Sequence, residues 1–165
     1  MRKLWWLPLM IMLLAGCTGE QSYETVSDQL EVPVVSVRYS VSLDLPEEAA
    51  DPVMDTGSEK LYECEDYTLT LQTMDGGDLE KTFRAVTGMG ADALTVLQTQ
   101  RNEMPCYQCA WTTAGEDGQR ICRALILDDG NMHHAVTVMA DHTLAGQLTE
   151  QWEAIFRSAT LVSTD

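Results

Sequence analysis

The chain has 165 residues, 45 % of them hydrophobic, with 26 Asp and Glu against 10 Lys and Arg and a formal charge of −16. Its length suits one domain with a proper core, and its acidic balance excludes a surface that grips nucleic-acid phosphates or lies flat on anionic headgroups. Two readings of the charge remain, a solvated surface that keeps the domain soluble and loose capture of cations or of a basic partner.

Arg2 and Lys3 open the chain, an apolar run from Leu4 to Leu14 follows, and Ala15-Gly16 place two small residues directly before Cys17. A run of about a dozen residues falls short of the roughly 20 needed to cross the hydrocarbon core, so it reads as a cleaved segment and not as a permanent span. Leu14-Ala15-Gly16-Cys17 resembles a bacterial lipoprotein signal, which implies that the Cys17 thiol receives a diacylglycerol before cleavage makes it the first residue. An ordinary cleaved signal is the alternative, but it gives no reason for the cysteine. Two or three acyl chains, at about 0.8 kcal/mol per buried CH2, then hold the mature protein on the membrane for its lifetime. Loss of Arg2 and Lys3 with the signal takes the formal charge to −18.

Thr18 to Glu31 is rich in Ser, Thr, Glu, Gln and Asp and poor in apolar residues. Such a composition buries too little surface to offset its own ordering and predicts a flexible tether, about 20 Å long on average and at most about 50 Å when stretched. The expected division is therefore 1–16 signal, 17–31 lipid-anchored tether, and 32–165 a single domain. No internal repeat or low-complexity tract interrupts it.

Strict alternation then predicts a half-buried strand, with Val35, Val37, Tyr39, Val41, Leu43 and Leu45 on one face. Pro46 ends it, and Glu47 to Ser58 reads as a loop or irregular short helix. Leu61–Cys64 and Tyr67–Met74 form an expected hairpin across Glu65-Asp66. Asp78 is placed to cap a helix with Leu79, Phe83 and Val86 at helical spacing, and Gly88 is placed to stop it. Strands are expected at Leu94–Arg101, Pro105–Thr113, Gln119–Leu127 and Met132–Ala140, the last reached through the turn Asp128-Asp129-Gly130-Asn131. Leu144, Leu148, Trp152, Ile155 and Phe156 make one apolar stripe of a helix to Ser158. Thr160–Val162 offers a short closing strand.

The order β-β-β-α-β-β-β-β-α belongs to the α+β class, with helices covering a central antiparallel sheet. The Leu43-Asp44-Leu45-Pro46 start, the element order and the closing Trp152-Glu153-Ala154-Ile155-Phe156-Arg157-Ser158 helix resemble the PsbP-like proteins, Ran-binding import factors and related bacterial lipoproteins. The resemblance spans about Val35 to Val162 and implies an α/β/α sandwich. It carries over no functional residue, since fold does not imply function.

Four cysteines remain besides Cys17: Cys64, Cys106, Cys109 and Cys122. An even number in a compartment that permits oxidation points to disulfides, Cys109 with Cys122 and Cys64 with Cys106, against the alternative of buried free thiols. A hairpin centred near Glu116-Asp117 puts Cys109 and Cys122 on one face, and a small change of register sets them opposite. Cys106-Tyr107-Gln108-Cys109 has the spacing of thiol oxidoreductases, but on a strand that spacing turns the two thiols to opposite faces. A four-cysteine zinc site normally shows two such pairs. His133 and His134 likewise face opposite sides; satisfied surface or core histidines are the preferred reading, with a meeting of His134, His142 and Asp141 at the strand's end as the alternative. Asp128-Asp129-Gly130-Asn131 lacks the ligand spacing of a calcium hand and reads as a turn.

Nucleophile elbows, phosphate loops, zinc-protease helices and dinucleotide fingerprints are absent from the sequence. The expectation is a monomeric, non-enzymatic binding or adaptor domain with no cofactor and no bound metal. It is anchored to the extracytoplasmic face of a bacterial cell membrane through Cys17, with an envelope protein as partner. Its rivals are a thiol-disulfide redox protein using Cys106 and Cys109, and a metal or small-ligand carrier.

Overall fold

A computed structural model describes residues 37–116 and 118–164. The signal, Cys17 and the tether lie outside the described residues. The elements are β1 (Tyr39–Ser42), β2 (Met54–Asp55), β3 (Glu59–Glu63), β4 (Tyr67–Asp75), α1 (Leu79–Thr87), β5 (Thr95–Arg101), β6 (Met104–Gly115), β7 (Gly118–Asp128), β8 (Met132–Asp141), α2 (Ala145–Ser158) and β9 (Thr160–Ser163). Short 3-10 turns precede β2, β5 and α2. Seven strands form one antiparallel sheet in the order β2-β3-β4-β8-β7-β6-β5, and β1 and β9 form a separate two-stranded ribbon.

Local chemistry accounts for most of these boundaries. The Asp78 carboxylate accepts the Lys81 amide at 3.0 Å, meeting one of the unpaired donors at the start of α1. Gly88, at φ 76°, ends that helix in the left-handed conformation and donates its amide to the Arg84 carbonyl. Between β7 and β8 the Asp128 and Asp129 carboxylates accept the amides of Gly130, Asn131 and Met132 at 2.7–2.8 Å. Gly130 sits there at φ 89°, so the segment is the expected turn.

The sheet separates two cores, one on each face. Leu69, Leu125, Val136, Val138 and Cys106 point to the face covered by α2, which contributes Leu148, Trp152, Ile155 and Phe156. The ribbon packs on that same core through Val41 and Leu161. Cys109, Ala124, Ile126 and Ala135 point to the other face, where α1 contributes Phe83. Helix, sheet and helix thus stack as an α/β/α sandwich, as the sequence leads one to expect.

Three local features differ from the sequence reading. Among the described residues the first predicted strand is confined to Tyr39–Ser42, which pair with β9, and Val37 and Leu45 are left 38 % exposed. β2 forms inside the expected loop, where Met54 and Asp55 pair with Leu61 and Lys60. The turn from β5 to β6 uses Asn102 and Glu103 at φ 48° and 69°. No glycine marks that turn, so the usual signal is missing.

Candidate functional site

The thiols are dispersed. All four are free, and the register explains why the expected bridges do not form. Cys109 stands across from Ala124, and Cys122 across from Trp111; the two share a face but are offset by two residues. Cys64 follows β3 and Cys106 lies on β6, four strand positions away, about 19 Å at 4.8 Å per strand, whereas a disulfide needs Cα atoms within about 7 Å. Cys106 and Cys109 belong to different cores, so the dithiol chemistry of the Cys-x-x-Cys reading has no geometry here. Burial pushes the Cys109 and Cys122 thiols up to about 11. Cys64 is also raised by burial, with the Tyr67 hydroxyl opposing, so none of these three is an activated thiolate.

The histidines serve the β7–β8 turn. His134 is fully buried; its Nε2 donates to Asp129 Oδ2 at 2.9 Å, and its Nδ1 accepts from the Thr73 hydroxyl at 3.2 Å. His133 faces the other core, with Nδ1 2.6 Å from the Thr82 hydroxyl and Nε2 3.6 Å from Asp128 Oδ2. Burial opposes ionisation of Asp129, yet His134 and the amides of Met132 and Asn131 outweigh it and hold the carboxyl below its ordinary range. The alternative meeting of His134 with Asp141 and His142 does not occur. Asp141 ends β8 and His142 follows it, seven and eight residues beyond His134 and so about 23 to 26 Å away at 3.3 Å per residue. Among the described residues no three His, Cys, Asp or Glu side chains come together to hold a metal ion.

Among several surface clefts, a groove of about 490 Å³ lies between the ribbon and the β3–β4 hairpin, within the size range of ligand clefts. Its floor includes Lys60, Tyr62, Leu71 and Thr73; its ribbon wall is the consecutive run Ser40–Leu43. Leu45 and Val162 line the rim. Of the six large hydrophobic residues exposed among the described residues, Val37, Leu45, Val53, Met54 and Val162 come from the ribbon, its flanks or the neighbouring β2. At the β2–β3 turn the Gly57 amide and then Lys60, 3.2 Å away, hold the Asp55 carboxyl below its usual value. Sequence reasoning missed this groove because its walls come together through the β1–β9 pairing and the placement of β3 beside β4. Only the exposed apolar positions hinted at it.

No family model and no curated protein sequence matches the chain. Solved structures do. LpqN of Mycobacterium tuberculosis, described as involved in cell envelope biogenesis, superposes with a TM-score of 0.53 at 9 % identity, covering 77 % of this chain and 86 % of its own. The Ran-binding protein Mog1p of Saccharomyces cerevisiae gives 0.50 at 8 % identity, covering 78 % and 98 %. The cyanobacterial PsbP of Synechocystis gives 0.48 at 11 % identity, covering 75 % and 82 %. At these identities the likeness concerns the fold alone, which the chain shares with LpqN and Mog1p.

Proposed function

We propose that the protein is a non-enzymatic binding or adaptor domain, held by a lipid on Cys17 at the extracytoplasmic face of a bacterial membrane, which recognises its partner through the groove between β1 and the β3–β4 hairpin. The observation that carries the reading is that groove, open and lined by both apolar and hydroxyl side chains. Leu14-Ala15-Gly16-Cys17 supports the anchor. Two proteins of the same fold, one described as involved in cell envelope biogenesis and one as Ran-binding, fit an adaptor role. The dispersal of thiols and histidines leaves the redox and metal-carrier alternatives without an assembled centre among the described residues.

Two measurements test the proposal. Cells fed labelled fatty acid should label the wild-type protein and place it in the membrane fraction, and Cys17→Ala should lose the label; a labelled Cys17→Ala refutes the anchor. A photo-crosslinking residue at Leu45 or Val162 should give one discrete adduct in intact cells, and the same residue at exposed Thr113 should give none. Identical patterns at all three positions refute the groove as the binding site.

A further inference from the structure

Among the described residues β1 has a partner on one side only. The Thr164 amide donates to the Arg38 carbonyl at 2.9 Å, which makes 38–164 a hydrogen-bonded pair. Alternation then makes 40–162 and 42–160 bonded pairs too, in the register Ser40↔Val162 and Ser42↔Thr160. The backbone N–H and C=O groups of Tyr39 and Val41 therefore point away from β9, and they have no partner among the described residues. The groove begins there. A strand's face presents alternate residues, but this wall is the unbroken run Ser40-Val41-Ser42-Leu43, which is what a strand presents along its edge. Glu59 lines the groove and Asp44 lies between its lining residues Leu43 and Leu45, while Lys60 is the single cation among the residues that line it. That lysine is already paired with Asp55.

Building on the groove as the binding site, we propose that its occupant is an extended, basic polypeptide segment of a partner, which adds to the free edge of β1 as a third strand. Backbone groups at Tyr39 and Val41 supply a donor–acceptor repeat every two residues, which another strand matches. Leu43, Tyr62 and Leu71 receive its apolar side chains at alternate positions. The carboxylates of Asp44 and Glu59 attract its Lys or Arg residues and disfavour acidic competitors.

The test uses the mature protein in nanodiscs of phosphatidylcholine, with empty nanodiscs as the blank. The probes are two decapeptides, one alternating lysine and valine, the other glutamate and valine. The lysine peptide should bind at least tenfold more tightly than the glutamate peptide and slow amide exchange at Tyr39 and Val41 at least tenfold. Val41→Pro removes an outward N–H that bonds nothing in the fold, a position where proline is tolerated, and should weaken the lysine peptide at least tenfold. Equal binding of the two peptides overturns the proposal, as does unchanged exchange at Tyr39 and Val41 under saturating peptide. Should Val41→Pro misfold by circular dichroism, the exchange measurement on the wild type still decides. A failure here with intact crosslinking from Leu45 and Val162 removes strand addition alone. Failure of both removes the groove.

Discussion

The two faces of the central sheet are closed in different ways. On one, the 14-residue α2 lays Leu148, Trp152, Ile155 and Phe156 across the strands, and the β1–β9 ribbon completes the cover. Arg123 stacks over the Phe156 ring at 5.6 Å, and Arg101 donates to the carbonyls of Phe156 and Ala159 at the end of α2, where a cation is favoured. On the other face the nine-residue α1 supplies one fully buried aromatic, Phe83, set edge-on against Tyr107. The sheet's own Tyr107 and Trp111 extend that smaller core. A short helix thus leaves part of its face to be closed by side chains rising from the strands, and the greater share of burial energy lies under α2.

Truncations on the two faces test that ranking most directly. Trp152→Ala should destabilise by about 4 kcal/mol and Phe83→Ala by about 3 kcal/mol, measured by urea unfolding. Equal costs, or the reverse order, break the comparison.

Next in size is the turn that joins the faces, since His133 and His134 reach from it into opposite cores. Asp129 has a lowered folded value, so its contribution is present above the ordinary carboxylate range near 3.8 and is lost as pH falls through that lowered value. Stability measured from pH 6 to pH 2.5 should fall in that window. Asp129→Asn should cost about 2 kcal/mol at neutral pH and flatten the fall. An unchanged pH profile in the variant would show that other carboxylates carry it.

Asp78→Ala should cost about 1 kcal/mol by removing the α1 cap, visible as faster amide exchange in Lys81 than in α2. The smallest effect concerns Thr137, on the α1 face, whose buried hydroxyl has no hydrogen-bond partner among the described residues. Thr137→Val should leave stability unchanged or raise it by about 0.5 kcal/mol. A clear loss would reveal a partner for that hydroxyl.

The candidate site was far less legible in the sequence than the elements around it. Asp78, Gly88 and Asp128-Asp129-Gly130-Asn131 act within a few residues of themselves, so their roles can be read from neighbours alone. The separation of Cys106 from Cys109, and of His133 from His134, follows from the two-residue period of any strand. Cys109 and Cys122 show where that reasoning stops: the period fixes their shared face, but the hairpin register decides that Ala124 and Trp111 stand opposite them.

Local chemistry in the chain determined the α+β class, the position of both helices and most strands, and which side chains alternate toward a core. Tertiary structure alone decided that β4 lies beside β8, that β1 leaves the main sheet to pair with β9, and that a groove opens along its free edge. The physical reason is range. Caps, turns and periodicity are set by interactions a few residues apart, whereas strand order and the spaces between layers depend on how distant apolar faces bury one another.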